Sequence, residues 1–136
     1  MSVIDNKTID YLSDTTLYAE ACTFARTNPL PNKKQLKHLE GLAISSKNWQ
    51  GLIDYINHQR DRDTLPKDCL PFYEALRRYL NDSKNGLYER VVSEFQLVNP
   101  ENLTKNEAKR AKETWAQELA QEFITHLVAE ALLQKS

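Results

Sequence analysis

The chain has 136 residues, with 18 lysines and arginines against 19 aspartates and glutamates, three glycines, five prolines and two cysteines. That length suits one domain with a real core, and a net charge of −1 excludes an overall field for nucleic acid, so electrostatic binding must come from local segregation of charge. Cys22 and Cys69 stand alone, which argues against a disulfide framework or a cysteine-rich zinc site, and no segment has the form of a leader or the length of a membrane span; a soluble cytoplasmic protein is expected.

Residues 1–13 carry no helical assignment and are a candidate flexible lead-in. From about Thr15 to Thr27, Leu17, Ala21, Phe24 and Ala25 share one helical face, with Ser13 or Asp14 placed to cap it. Asn28-Pro29-Leu30-Pro31 closes that helix, because proline lacks the amide a helix uses and pushes the residue before it out of the helical region. A second helix begins at about Asn32, with Leu36, Leu39, Ala43 and Ile44 at helical spacing. Lys33, Lys34 and Lys37 fill its first turns, the unfavourable end of the helix dipole for a cation, so these lysines point to a role other than helix stability. After Ser45-Ser46-Lys47 a third helix carries Trp49, Leu52, Ile53 and Ile56 and runs into Gln59-Arg60-Asp61-Arg62-Asp63. The short connection predicts an antiparallel hairpin of the second and third helices. Pro66 to Asn81 reads as a fourth helix that buries Leu70, Tyr73, Leu76 and Leu80, with Phe72 and Tyr79 close to that side. Gly86 interrupts, and Leu87 to Val98 reads as a fifth helix ended by Asn99-Pro100.

The last element is the most informative. Thr104 to Gln134 holds no glycine or proline and opens on Thr104-Lys105-Asn106-Glu107, a capping box in which hydroxyl and carboxylate each satisfy an amide. A basic head of Lys105, Lys109, Arg110 and Lys112 precedes an apolar body of Leu119, Phe123, Ile124, Leu127, Val128, Leu132 and Leu133. At about 100° per residue, Lys105, Lys109 and Lys112 share an azimuth with Ala116, Ala120, Phe123 and Leu127. Unpaired ammonium groups are costly to bury, so the first turns are expected to overhang the end of the bundle as a basic ledge, with Trp115 at the core's edge. Together these elements predict an all-α fold: one domain over residues 1–136, a bundle of five to six helices with a long C-terminal helix.

No catalytic constellation is present. His38, His58 and His126 are scattered, His126 and Glu130 supply at most two metal ligands, and Asp54 with His58 reads as a structural helical pair. No serine or cysteine sits in a nucleophile motif, and Gly41, Gly51 and Gly86 are isolated, so neither an enzyme nor a cofactor or metal site is expected. Trp49 and Trp115 read as core or interface anchors. What remains is clustered positive charge: Lys33, Lys34, Lys37, Arg60 and Arg62 from the hairpin, Arg77 and Arg78 from the fourth helix, and Lys105, Lys109, Arg110 and Lys112 from the last. Basic side chains along a groove contact phosphates without reading sequence, which makes these the candidate RNA-binding residues.

Gln35-Leu36-Lys37-His38-Leu39-Glu40-Gly41-Leu42-Ala43, Phe72-Tyr73-Glu74-Ala75-Leu76-Arg77-Arg78-Tyr79-Leu80 and Glu122-Phe123-Ile124-Thr125-His126-Leu127 resemble the small helical subunits of type III CRISPR–Cas effector complexes in size, helical order and basic–apolar texture over about Leu30 to Leu133. The resemblance implies a non-catalytic antiviral-defence subunit whose copies stack along guide RNA, contact guide and target backbone, and touch other subunits of the complex. An alternative expectation is a helical protein–protein adaptor whose partner takes the apolar strip around Phe123 and Leu127.

Overall fold

A computed structural model describes residues 5–61 and 69–135. Among them there is no strand; the elements are α1 (Asn6–Leu12), a π turn (Ser13–Leu17), α2 (Tyr18–Thr27), α3 (Lys33–Ser45), α4 (Trp49–Asp61), α5 (Leu70–Asn81), α6 (Leu87–Ser93), a 3-10 turn (Pro100–Asn102) and α7 (Lys105–Lys135). The all-α bundle with its long last helix is as the sequence predicts. No helix among the described residues is long and apolar enough to cross a membrane.

The first departure is at the start. Helix begins at Asn6, capped by Asp5, whose carboxylate accepts from the Lys7 amide and the Thr8 hydroxyl, both at 3.0 Å. It continues through the π turn into α2, so Ser13 and Asp14 are interior to a helix and do not cap one. The cause is a spacing of four: Ile9, Ser13, Leu17, Ala21 and Ala25 are all buried. On an α-helix of about 3.6 residues per turn that spacing drifts around the axis. A π turn takes more residues per revolution and offsets part of the drift, with the Tyr18 amide bonding back to the Ser13 carbonyl.

Caps then follow the sequence closely. Asn32 accepts from the Gln35 amide at 2.8 Å, and Asn48 accepts from the Gly51 amide at 2.7 Å. The capping box of α7 is complete: the Thr104 amide donates to Glu107 at 2.9 Å, and the Glu107 amide donates to the Thr104 hydroxyl at 3.1 Å. Hydrogen bonding of its carboxylate to the Thr104 amide, and then to the Thr104 hydroxyl, holds the Glu107 carboxyl below its ordinary value of 4.5. The folded state therefore binds fewer protons there than the unfolded state. Its contribution is present above 4.5 and lost as pH falls through the depressed folded value. Glu107→Gln keeps an acceptor for the Thr104 amide but does not titrate, so the fall of stability with acid, measured by urea unfolding over a pH series, is expected to become shallower.

The predicted fifth helix is cut short. α6 ends at Ser93, and Gln96 adopts φ 53°, in the left-handed region, which lets the Leu97 amide return to the Val91 carbonyl at 2.8 Å. Val98 then enters the core from irregular chain. Across the short connection between α3 and α4, His38 meets Tyr55 edge to face at 5.6 Å. Each nevertheless packs most extensively elsewhere, α3 on α7 and α4 on α5. The predicted start of the fourth helix, at Pro66, lies outside the described residues.

α7 is the spine of the bundle. α2 and α3 cover its body, and α6 covers its head. Gln117 and Gln121 donate to the carbonyls of Ser46 and Ala43 at 2.7 and 2.9 Å, which satisfies the end of α3 and sets it antiparallel to α7. At the centre Phe24 meets Phe72, Tyr79 and Phe123 edge to face, while Tyr79 stacks on Phe123 with centroids 3.8 Å apart.

Candidate nucleic-acid interface

The head of α7 does not overhang the bundle. It packs against α6 and buries Ala108, Ala111 and Trp115, whereas the body buries Ala120, Phe123, Ile124, Leu127, Val128 and Ala131. At about 100° per residue these two sets lie more than a third of a turn apart. The buried face thus rotates along the helix as its partner changes from α6 to α2 and α3. Lysines that share an azimuth with Phe123 therefore sit beside the alanine seam of the head, without being driven into the core.

This arrangement builds a cleft of about 750 Å³ between α6, the 3-10 turn and the head of α7. Lys105, Lys109 and Lys112 line it, with Tyr88 and Glu89 of α6 on the facing wall and Asn106 and Ser93 as further polar groups. Lys105 and Lys109 are exposed and, among the described residues, make no ion pair. Lys112 is half-buried; its ammonium lies 4.4 Å from the Tyr88 ring centroid and 3.5 Å from a Glu89 carboxylate oxygen. Tyr88 is backed by the buried indole of Trp49, stacked at 5.6 Å. Burial, followed by the charges of Glu113 and Glu89, pushes the Tyr88 phenol above its ordinary value, so the ring stays neutral beneath Lys112.

The other candidate residues do not join this cleft. Because α3 runs antiparallel to α7, Lys33, Lys34 and Lys37 lie toward the far end of the spine, roughly 30 Å from its head by helical rise. They are exposed. Arg60 pairs with Asp61 at 3.0 Å and approaches Glu74 at 3.8 Å. Arg77 turns its Nε inward, where it finds no partner among the described residues. Arg78 borders a separate groove with Phe24, Asn28, Tyr79 and Asp82. Arg110 is exposed on the head of α7 but does not line the cleft, and Arg62 lies outside the described residues. The single groove expected from clustering in the sequence is therefore dispersed, and the α7 head is where three of the candidate lysines line one cleft.

Other expected pairings also change. Asp54 accepts from Gln50 at 2.8 Å, and His126 meets the buried Ser13 hydroxyl at 2.7 Å across 113 residues of sequence. Among the described residues no three His, Cys, Asp or Glu side chains gather to hold a metal. Trp49 and Trp115 are core residues, as predicted. Tyr88 and Glu89 were not legible as site residues, because only the α6–α7 packing brings them to Lys112. No protein-family model, curated protein or solved structure matches this chain.

Proposed function

We propose that the chain is a non-catalytic helical subunit that holds RNA by its backbone within a larger ribonucleoprotein, in the manner of the small subunits of type III CRISPR–Cas effector complexes. The observation that carries this reading is the α6–α7 cleft, where Lys105 and Lys109 present ammonium groups that make no ion pair among the described residues and Lys112 stands behind them. Such a surface supplies affinity for phosphates and leaves sequence selection to base pairing elsewhere. Exposed apolar side chains, Tyr11, Tyr18, Ile44 and Leu133 among them, are where neighbouring subunits would pack. The adaptor alternative loses its docking strip, since Phe123 and Leu127 are wholly buried in the core.

Filter binding of single-stranded RNA over a salt series tests the proposal. Affinity should fall as salt rises, and Lys105→Glu with Lys109→Glu should weaken binding and reduce the slope of log K against log salt by about 0.7 for each lysine. Reversal at Lys33 and Lys34, far from the cleft, should have the smaller effect. Binding indifferent to salt, or none by the wild-type chain, would sink the reading.

A further inference from the structure

We propose that Glu89 is a latch on Lys112, withholding the third of three phosphate contacts that the cleft can offer to a single-stranded RNA; this rests on reading the cleft as an RNA site. Lys105, Lys109 and Lys112 climb α7 at intervals of four and three residues, about 6 and 4.5 Å of rise. That ladder is comparable to the separation of neighbouring phosphates along one strand, so a strand lying in the cleft meets the three ammonium groups in turn.

The first two rungs are open and the third is held. Lys112 has a side chain 19% exposed, its ammonium seated over a Tyr88 ring that Trp49 fixes from behind. Its carboxylate partner is Glu89, at 3.5 Å with 37% of its side chain exposed. That distance is at the outer limit of a hydrogen bond, and the pair stands in the wall of the cleft, so the attachment is weak and reachable by solvent. A phosphodiester entering beside Lys109 competes with Glu89 for the same ammonium and is repelled by Glu89 until the pair opens. Two rungs thus bind without cost to the fold, while the third is taken only by a ligand that displaces a carboxylate. The latch favours strands already fixed on Lys105 and Lys109 over isolated phosphate groups.

Neutralising Glu89 removes the repulsion and frees Lys112 together, and a double-mutant cycle separates the two effects. Binding of a fluorescent single-stranded oligouridylate would be measured over a salt series for the wild type, Glu89→Gln, Lys112→Ala, the double variant and Glu101→Gln. Glu101 is an exposed carboxylate of the adjacent 3-10 turn with no cationic partner among the described residues. Glu89→Gln is expected to tighten binding about three- to five-fold at low salt and to steepen the salt slope by about 0.7, one further single-strand contact. With Ala at position 112 the same substitution should leave the slope unchanged and shift affinity no more than Glu101→Gln does. Equal effects of Glu89→Gln in both backgrounds would overturn the latch while leaving the cleft as an RNA site. Absence of RNA binding in every variant would overturn both.

Discussion

Phe123→Ala is expected to lower the unfolding free energy by about 3–5 kcal/mol, the largest effect of any single substitution argued for this chain. Phe123 is wholly buried, lies flat against Tyr79 with ring planes 15° apart, and receives the edge of Phe24 at 5.8 Å. Truncation removes its transfer free energy, empties one side of the stack, and leaves a void bounded by the rings of Phe24 on α2 and Tyr79 on α5. Those rings are rigid, so the site cannot collapse readily around alanine. Urea unfolding followed by the fluorescence of Trp49 and Trp115, both buried, should show a lower midpoint with an unchanged m-value. A loss below about 1 kcal/mol would mean that the three-helix stack is not the centre of the core. The same geometry governs the interpretation of Leu127→Asp: any loss of partner binding in that variant reports unfolding, because the side chain never reaches the surface.

What could be seen in the sequence was whatever a few neighbouring residues decide. Thr104 and Glu107 specify their reciprocal bonds within one tetrapeptide, Asn28-Pro29-Leu30-Pro31 stops a helix by sterics alone, and apolar periodicity marks the bodies of α3, α4, α5 and α7. The misses have a common physical origin in tertiary partners. Spacing of four from Ile9 to Ala25 looks like a drifting face until a π turn absorbs part of the drift. α6 stops early because a glutamine, Gln96, takes the left-handed conformation that sequence reading reserves for glycine. Projecting α7 on one fixed axis assumes a single partner surface, but the helix changes partners along its length and its buried face turns with them. For the site, lysines are visible in any sequence, whereas a cleft is not. Glu89 lies 23 residues from Lys112 and Glu20 lies 70 from Arg90, separations that no local pattern links.

Arg90→Met is expected to cost about 2–3 kcal/mol, and its consequences should reach the cleft. The guanidinium donates to Glu20 at 2.9 and 2.8 Å and to Glu94 at 2.9 and 3.0 Å, with only 12% of its side chain exposed. Its face lies 4.9 Å from the Phe95 centroid. Burial alone would lower the guanidinium's hold on its proton, but the hydrogen bonds to Glu20 and Glu94 outweigh it and the net shift is upward. Tyr79 donates to the same Glu20 carboxylate at 2.5 Å, and burial, then the charge of Glu20, pushes its phenol well up, so it remains a donor. Methionine keeps an apolar stem but strands Glu20, whose side chain is 33% exposed. Breaking a fully buried pair costs about 3–5 kcal/mol; the solvent reaching Glu20 and Glu94 reduces that figure. Arg90→Lys should recover part of the loss, since it keeps the charge without the two-pronged fork. Pairing Arg90→Met with Glu20→Gln in a double-mutant cycle should reveal a coupling of about 1 kcal/mol or more, and additivity would refute the clamp. α6 has seven residues, too few to persist as helix without tertiary support. Its attachment to α2 through Arg90 therefore helps to set the neighbouring Tyr88 and Glu89 against Lys112. In Arg90→Met, amide exchange should accelerate in α6 more than in the body of α7, and Lys112 should lose its seat even though none of its own contacts has been mutated.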